Sequence, residues 1–383
     1  MRQGRPSLHL TLARACAWAL LVAGWVGIGS LALRFAPSSA SGFALVALWL
    51  LALGAAASVA TRGGLQRGAR ALALGAGAAF TAAALLTSVR GGGQGAVLAA
   101  LLGWAALTAL ASGVVRGLRL TEAMAPRPPV AAAGLGALVA ALALGDITDL
   151  QALVLRLSVF VALVAGLLVM LQRRIAVPRQ GSGCRAGLFD CSLPAWPVGA
   201  WRDARQWPVL LAGVSMLPMM AALPLMAAWC RAQQVPPQAV VLLHIAAMFG
   251  PALLLQTRLA GWSARSLARV CAGLLAAGAA LALAAPAPWD MLGLAATHGA
   301  AWGLAWGGQL WAPARRGQQG TSPLRAAAGY AVLTLLFGFA VEWAGARGVT
   351  AVHAALGIAA ALSLLPRGAP KAPTASEPPA VKG

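Results

Sequence analysis

The sequence predicts an all-α polytopic membrane protein of about 12 transmembrane helices, arranged as two six-helix halves. Three observations predict it. Only 10% of the 383 residues are charged and 60% are hydrophobic; an ordinary soluble domain carries about a quarter charged residues, so most of this surface faces lipid. The apolar residues gather in twelve runs, 15–33, 42–60, 69–89, 95–115, 129–145, 150–171, 208–230, 236–255, 267–285, 289–311, 324–343 and 348–365, and a spanning helix needs about 20 mostly apolar residues. The basic residues concentrate in alternate links, as a fixed orientation in a bilayer requires.

The bilayer core offers no water to backbone amides, so each run is expected to be helical. Alanine and leucine dominate the runs, and both favour helix. The first run follows Arg2, Arg5 and Arg14 and precedes APSSASG. That order of parts also occurs in secretory signals. The run is long for a signal core, however, and its removal leaves an odd number of spans, so it is read as a retained first span.

Runs two and three flank TRGGLQRGAR, residues 61–70, where Arg62, Arg67 and Arg70 stand with no acid beside them. With the N-terminus inside, this link is cytoplasmic and its arginines set orientation. The same side receives Arg116, Arg119 and Arg127, then Arg173 and Arg174 at the start of a basic central link. In all, 24 of the 29 basic residues fall inside, and Arg34, Arg90, Arg156, Arg231 and Arg347 fall outside. The acids divide evenly: Glu122, Asp190, Asp203 and Glu377 inside, Asp146, Asp149, Asp290 and Glu342 outside. The net charge of +21 is therefore dealt out between apolar runs, whereas a nucleic-acid partner wants it gathered on one soluble face. The partner expected is the lipid bilayer, with no nucleic acid.

The halves are residues 1–171 and 208–366, joined by a cytoplasmic linker, 172–207, and followed by a Pro- and Ala-rich tail, 367–383, of disordered composition. Twelve spans, both ends inside and a basic central linker resemble the major facilitator superfamily. The signature of that family lies between spans two and three, with a repeat between spans eight and nine. Here those links read GGLQRGAR and TRLAGWSARSLAR. Glycine and basic residues are present in the first, but the family's latch aspartate is absent from both. Span five, PVAAAGLGALVAALALG, lacks the antiporter glycine–proline motif. The resemblance implies a divergent secondary transporter of a small molecule or ion in a bacterial cytoplasmic membrane. Its halves would rock about a central site.

Candidate site residues follow from the cost of polarity in oil. No acid lies near the middle of any run, so histidine is the ordinary group left for proton coupling. His244, His298 and His353 lie within runs eight, ten and twelve. The resemblance favours His244 and His298, because family spans eight and ten border the cavity while span twelve packs outside. Each histidine serves equally well as a helix-to-helix hydrogen bonder. In HGAAWGLAWGGQLW, Gly299, Gly303 and Gly307 form one strip that lets a neighbouring helix approach. Trp302 and Trp306 lie beside that strip, with Gln309 further on; the indoles suit stacking on a substrate or filling space. Trp289 and Trp311 stand at the ends as interface anchors. Arg156 and Asp149 are placed to share the outer interface.

Run seven contains MLPMMAALPLMAAWC. At 100° per residue, Met216, Met219, Met220, Met226 and Cys230 share an arc of about 120°, and Met248 lies four residues after His244. Thioether, thiolate and imidazole together suit Cu(I), and Cys184 and Cys191 in the linker are placed to receive such an ion; methionine is equally a filler of apolar gaps.

The chain shows no nucleophile–base pair, phosphate loop or metalloprotease motif, so neither an enzyme nor a cofactor is expected. Three functions stay open: a secondary transporter of a small solute, a non-transporting membrane scaffold or assembly protein, and a soft-metal transporter.

Overall fold

The computed structural model describes residues 8–62, 67–122, 130–173, 207–259, 261–311 and 323–364. They form twelve helical rods, a one-turn helix at Gln256–Leu259 and, among the described residues, no strand. The rods are α1 (Leu8–Phe35), α2 (Ser39–Arg62), α3 (Arg67–Thr87), α4 (Gly93–Glu122), α5 (Val130–Leu144), α6 (Leu150–Gln172), α7 (Trp207–Val214 and Met216–Ala232), α8 (Pro237–Leu254), α9 (Ala264–Ala284), α10 (Trp289–Trp311), α11 (Pro323–Ala344) and α12 (Ala346–Leu362). Among the described residues seven stretches are long and apolar enough to cross a membrane; one of them, Gly68–Val115, is the α3–α4 hairpin. Exposed Leu163, Phe339 and Leu283 lie in the middle or outer thirds of rods α6, α11 and α9. Large apolar side chains in such numbers outside a core fit a lipid-facing surface. The chain is an all-α polytopic membrane protein.

Two helices differ from the expected runs. The first rod begins at Leu8 rather than residue 15, so Arg14 sits inside α1, buried, instead of in the N-terminal segment. The seventh is broken at Ser215. Pro218 has no N–H to give the carbonyl of Val214, four residues earlier, and the helix breaks where that bond is lost. The linker beyond Arg173 and the tail, with Arg174, Cys184 and Cys191, lie outside the described residues, as do the side chains of Arg62, Arg67, Gln309 and Trp311.

Packing repeats after six helices. α1 packs on α5, α2 on α4 and α3 on α6; α8 packs on α10 and α9 on α12. The two extensive cross-pairings between the first and last six rods are α2 with α11 and α5 with α8. Exchanging the two sets, α2 for α8 and α11 for α5, turns one pair into the other. α1 is the most enclosed rod, buried almost throughout, because rods from both sets of six surround it.

The links expected to face outward meet at one end of the bundle. Gln94 at the start of α4 donates from Nε2 to the Phe35 carbonyl at 3.5 Å. The Ala40 N–H, in the first turn of α2, donates to the Glu342 carboxylate at 3.0 Å from the end of α11, where an anion suits the positive helix terminus. Arg231, ending α7, pairs with Asp146 at 3.4 Å and donates to the Thr148 hydroxyl. Asp149 and Arg156, expected together, part company: Asp149 caps α6 by accepting the Ala152 N–H at 3.1 Å, and Arg156 donates to the Leu144 carbonyl at 3.2 Å. A free N–H at a helix start and a free carbonyl at a helix end each outcompete an exposed ion pair.

The Asp146 carboxyl has a definite pH signature. Burial pushes its pKa up, but the Thr148 hydroxyl and N–H, with the charges of Arg231 and Arg156, draw it below the ordinary value. A carboxyl held lower in the folded than in the unfolded chain stabilises above its unfolded pKa. That contribution fades as pH falls through the folded one. Both partners are partly exposed, so the clasp is expected to contribute less than about 1 kcal/mol. Melting temperatures of the wild type and Asp146→Asn are expected to differ slightly at neutral pH and to converge below about pH 4.

Candidate functional site

Two clusters of polar or aromatic side chains lie deep in the bundle. The first bridges the two sets of six rods. Trp18 on α1 meets Phe249 on α8 edge-to-face, with ring centroids 5.8 Å apart, and meets Trp302 and Trp306 on α10 at 6.4 and 5.3 Å. Trp302 and Trp306 stack on each other at 5.4 Å with planes 9° apart. They are four residues apart, hence one turn apart on the same face. The indole N–H groups of Trp18 and Trp302 are buried without a protein acceptor, although a buried indole N–H usually finds a partner. Arg14 lies one turn before Trp18 on the same side of α1 and is buried as well.

What lets α10 reach this position is its glycine strip. A Cβ on Gly299 would stand 2.8 Å from the His244 carbonyl, one on Gly303 would collide with the Met248 carbonyl, and one on Gly307 would touch Ala252. His244, Met248 and Ala252 are themselves four apart, so a ladder of glycines on α10 meets a ladder on α8. Backbones this close carry the adjacent indoles to α1.

The second cluster lies within the last six rods. His244 and His298 stack with centroids 6.0 Å apart and planes 9° apart; His298 and His353 meet edge-to-face at 5.2 Å. Each ring has one fixed hydrogen bond. His244 donates from Nδ1 to the Ala295 carbonyl at 2.7 Å, and His353 donates from Nδ1 to the Val349 carbonyl at 2.7 Å. The Ser215 hydroxyl gives its hydrogen to the Leu211 carbonyl at 2.6 Å. Its oxygen, 2.8 Å from His298 Nε2, therefore accepts from that ring. The second ring nitrogens, His244 Nε2, His298 Nδ1 and His353 Nε2, are buried without protein partners.

Met216, Met219, Met220, Met226, Cys230 and Met248 are all buried in the core. Among the described residues, no group of three or more His, Cys, Asp or Glu side chains is placed to hold a metal ion. The structure thus joins His244 to His298 and Trp302 to Trp306, but the two pairs belong to different clusters.

No protein-family model matches the chain, and no curated protein matches it in sequence. Among solved structures it is similar to nucleoside transporter NupG. A point mutant of that protein aligns with a TM-score of 0.59 at 13% identity, covering 93% of this chain and 97% of that chain. A second NupG structure aligns at 0.56 and 13%, covering 93% and 96%. The fold is shared with a membrane transporter. At this identity the likeness to NupG is one of backbone course, so the residues of the two clusters stand on their own geometry.

Sequence reading missed Trp18, Phe249, Ser215 and the partnership of His353. His353 was expected on a span that packs outside; its ring instead faces α10, because α12 lies along α9 and reaches the same interior. The signal for Trp18 was in the sequence: Arg14, Trp18 and Trp25 share one face of a 3.6-residue helix.

Proposed function

We propose that the protein is a secondary transporter, a divergent member of the major facilitator superfamily, that moves a small organic solute by alternating access. The observation that carries this reading is the aromatic cluster between the two sets of six rods, where Trp18 meets Trp302 and Trp306. A solute bound between halves that rock must touch both, and this cluster is built from both. Its chemistry favours a solute with a flat apolar face and hydrogen-bond acceptors. Rings offer the face, the two unmatched indole N–H groups of Trp18 and Trp302 offer donors, and Arg14 adds positive charge one turn away. The shared fold with a transporter supports the same reading. The alternation of arginines supports a bacterial cytoplasmic membrane with both termini inside.

The test is a metabolite comparison. Cells lacking the protein are complemented with wild type or with Trp302→Ala, with equal membrane levels of both. The wild type is expected to restore the level of one or a few flat, acceptor-bearing solutes, and Trp302→Ala to leave them at deletion values. Identical metabolite profiles in deletion and complemented strains would overturn the transport reading.

A further inference from the structure

We propose that His244, His298 and His353 form one mid-membrane site that binds a single proton, linked through Ser215 to the break in α7. The inference rests on the transport reading for its use, as a coupling site, but not for its chemistry.

Position is the first argument. His298 is the tenth of 23 residues in α10, His244 the eighth of 18 in α8 and His353 the eighth of 17 in α12. All three stand at half depth. Ionisable groups there are costly and mark ion and proton pathways. Three on three different helices, meeting ring to ring, are not explained by packing, since a leucine or phenylalanine fills the same space without buried polar nitrogens.

The hydrogen bonds supply the second argument. Every ring has one nitrogen tied to an oxygen, which fixes a neutral tautomer and leaves a bare lone pair on the other. Three lone pairs in one buried cluster have no donor among the protein groups. One added proton, placed on His298 Nδ1, turns one of these lone pairs into an N–H. His298 then keeps its Nε2–H bond to Ser215, now charge-assisted. A second proton would put two positive rings within about 6 Å in a low-dielectric interior, so occupancy stops at one. A shared metal ion does not fit, because the near-parallel planes of His244 and His298 keep their lone pairs from converging on a point.

Among the described residues, no acid or further histidine lies beside the cluster. The cluster is enclosed by α7, α8, α9, α10, α11 and α12. Among the described residues, their buried titratable side chains besides the histidines are Cys230, Cys271, which donates to the Ala301 carbonyl, and Tyr330. Their charged side chains lie toward the helix ends: Arg231, Asp290, Glu342 and Arg347 at one, Arg258, Arg265, Arg269 and Arg325 at the other. The link to motion is Ser215. Its oxygen receives the His298 N–H at the residue that separates the two segments of α7, so loading the site tightens a bond at that junction.

The experiment is nitrogen NMR on the full chain in lipid nanodiscs with ¹⁵N-labelled histidine, stepped from about pH 9 to about pH 4, which brackets the ordinary imidazole value near 6.5. The three core imidazoles are expected to change together over one pH range, with one proton taken up in total. His298→Gln is expected to abolish the joint change. Should that variant not fold, His244→Gln and His353→Gln are each expected to move the range for the remaining two by about one unit. Independent titration unaffected by these substitutions, or imidazoles that stay neutral throughout, would overturn the proposal. Solute movement with neutral imidazoles would sink the proton site alone; joint titration without solute movement would sink the transport reading alone.

Discussion

Gly303→Val is expected to abolish folded protein. A Cβ at residue 303 already collides with the Met248 carbonyl, and valine adds two methyl groups beyond it. The obstruction is backbone, which cannot rotate away as a side chain does. Either α8 and α10 separate along their length or α10 bends. Separation would withdraw Trp302 and Trp306 from Trp18. Overpacking of a well-filled core costs typically about 1–3 kcal/mol where side chains can yield, and here more than that is expected. Gly307→Ala is the milder companion, because its Cβ would lie 3.5 Å from Ala252 and 3.2 Å from Leu259. Monodisperse yield after extraction, compared across the three proteins, checks this. A Gly303→Val protein with wild-type yield and melting temperature would show that α8 and α10 are not in backbone contact.

Trp18→Ala is expected to have the second-largest effect. Trp18 is buried and touches three aromatic rings on two other helices. Truncating a buried tryptophan costs about 3–5 kcal/mol, from lost burial and the cavity left behind. Trp18→Phe separates stability from binding. It keeps an apolar ring and removes the indole N–H, so stability is expected to fall by about 1 kcal/mol or less if the site repacks, while solute affinity falls by about tenfold for one lost hydrogen bond. Thermal unfolding in detergent gives the first quantity; retention of the solute found by metabolite comparison gives the second.

Much of the fold was legible in the sequence, and the reason is physical. Oil demands long apolar helices with every backbone bond satisfied, so the spans announce themselves by composition; α6 and α10 begin and end within a residue of their expected runs. Short Gly- and Arg-bearing links did the same for the turns. The glycine strip of α10 was legible because spacing by four survives folding, though its partner ladder on α8 was not. The tertiary contacts were hidden. Arg231 and Asp146 stand 85 residues apart, and a periodic pattern carries no information about such pairs. Alanine-rich helices also blur which face is inward, so only the family resemblance bears on His353 in the sequence, and it points outside, whereas the ring meets His298. Arg14 was misplaced because a charge normally ends an apolar run; here its burial among other helices lets α1 continue through it. Pro218 and Pro224 are both visible in the sequence of α7, but the interruption falls at Ser215, because a proline's missing N–H acts one turn upstream.

The proposed alternating access requires the two sets of six helices to move against each other about the Trp18 seam. Pulsed electron-spin distances test it most directly, on protein whose native cysteines are replaced by alanine. One label pair, at Gln94 and Gln234, spans the end that carries the Asp146–Arg231 clasp; the other, at Arg173 and Gly261, spans the opposite end. Two distances are expected for each pair, with the population that is short at one end long at the other, and a shift between them when pH or solute is changed. One unchanging distance at both ends, whatever the pH or solute, would contradict it.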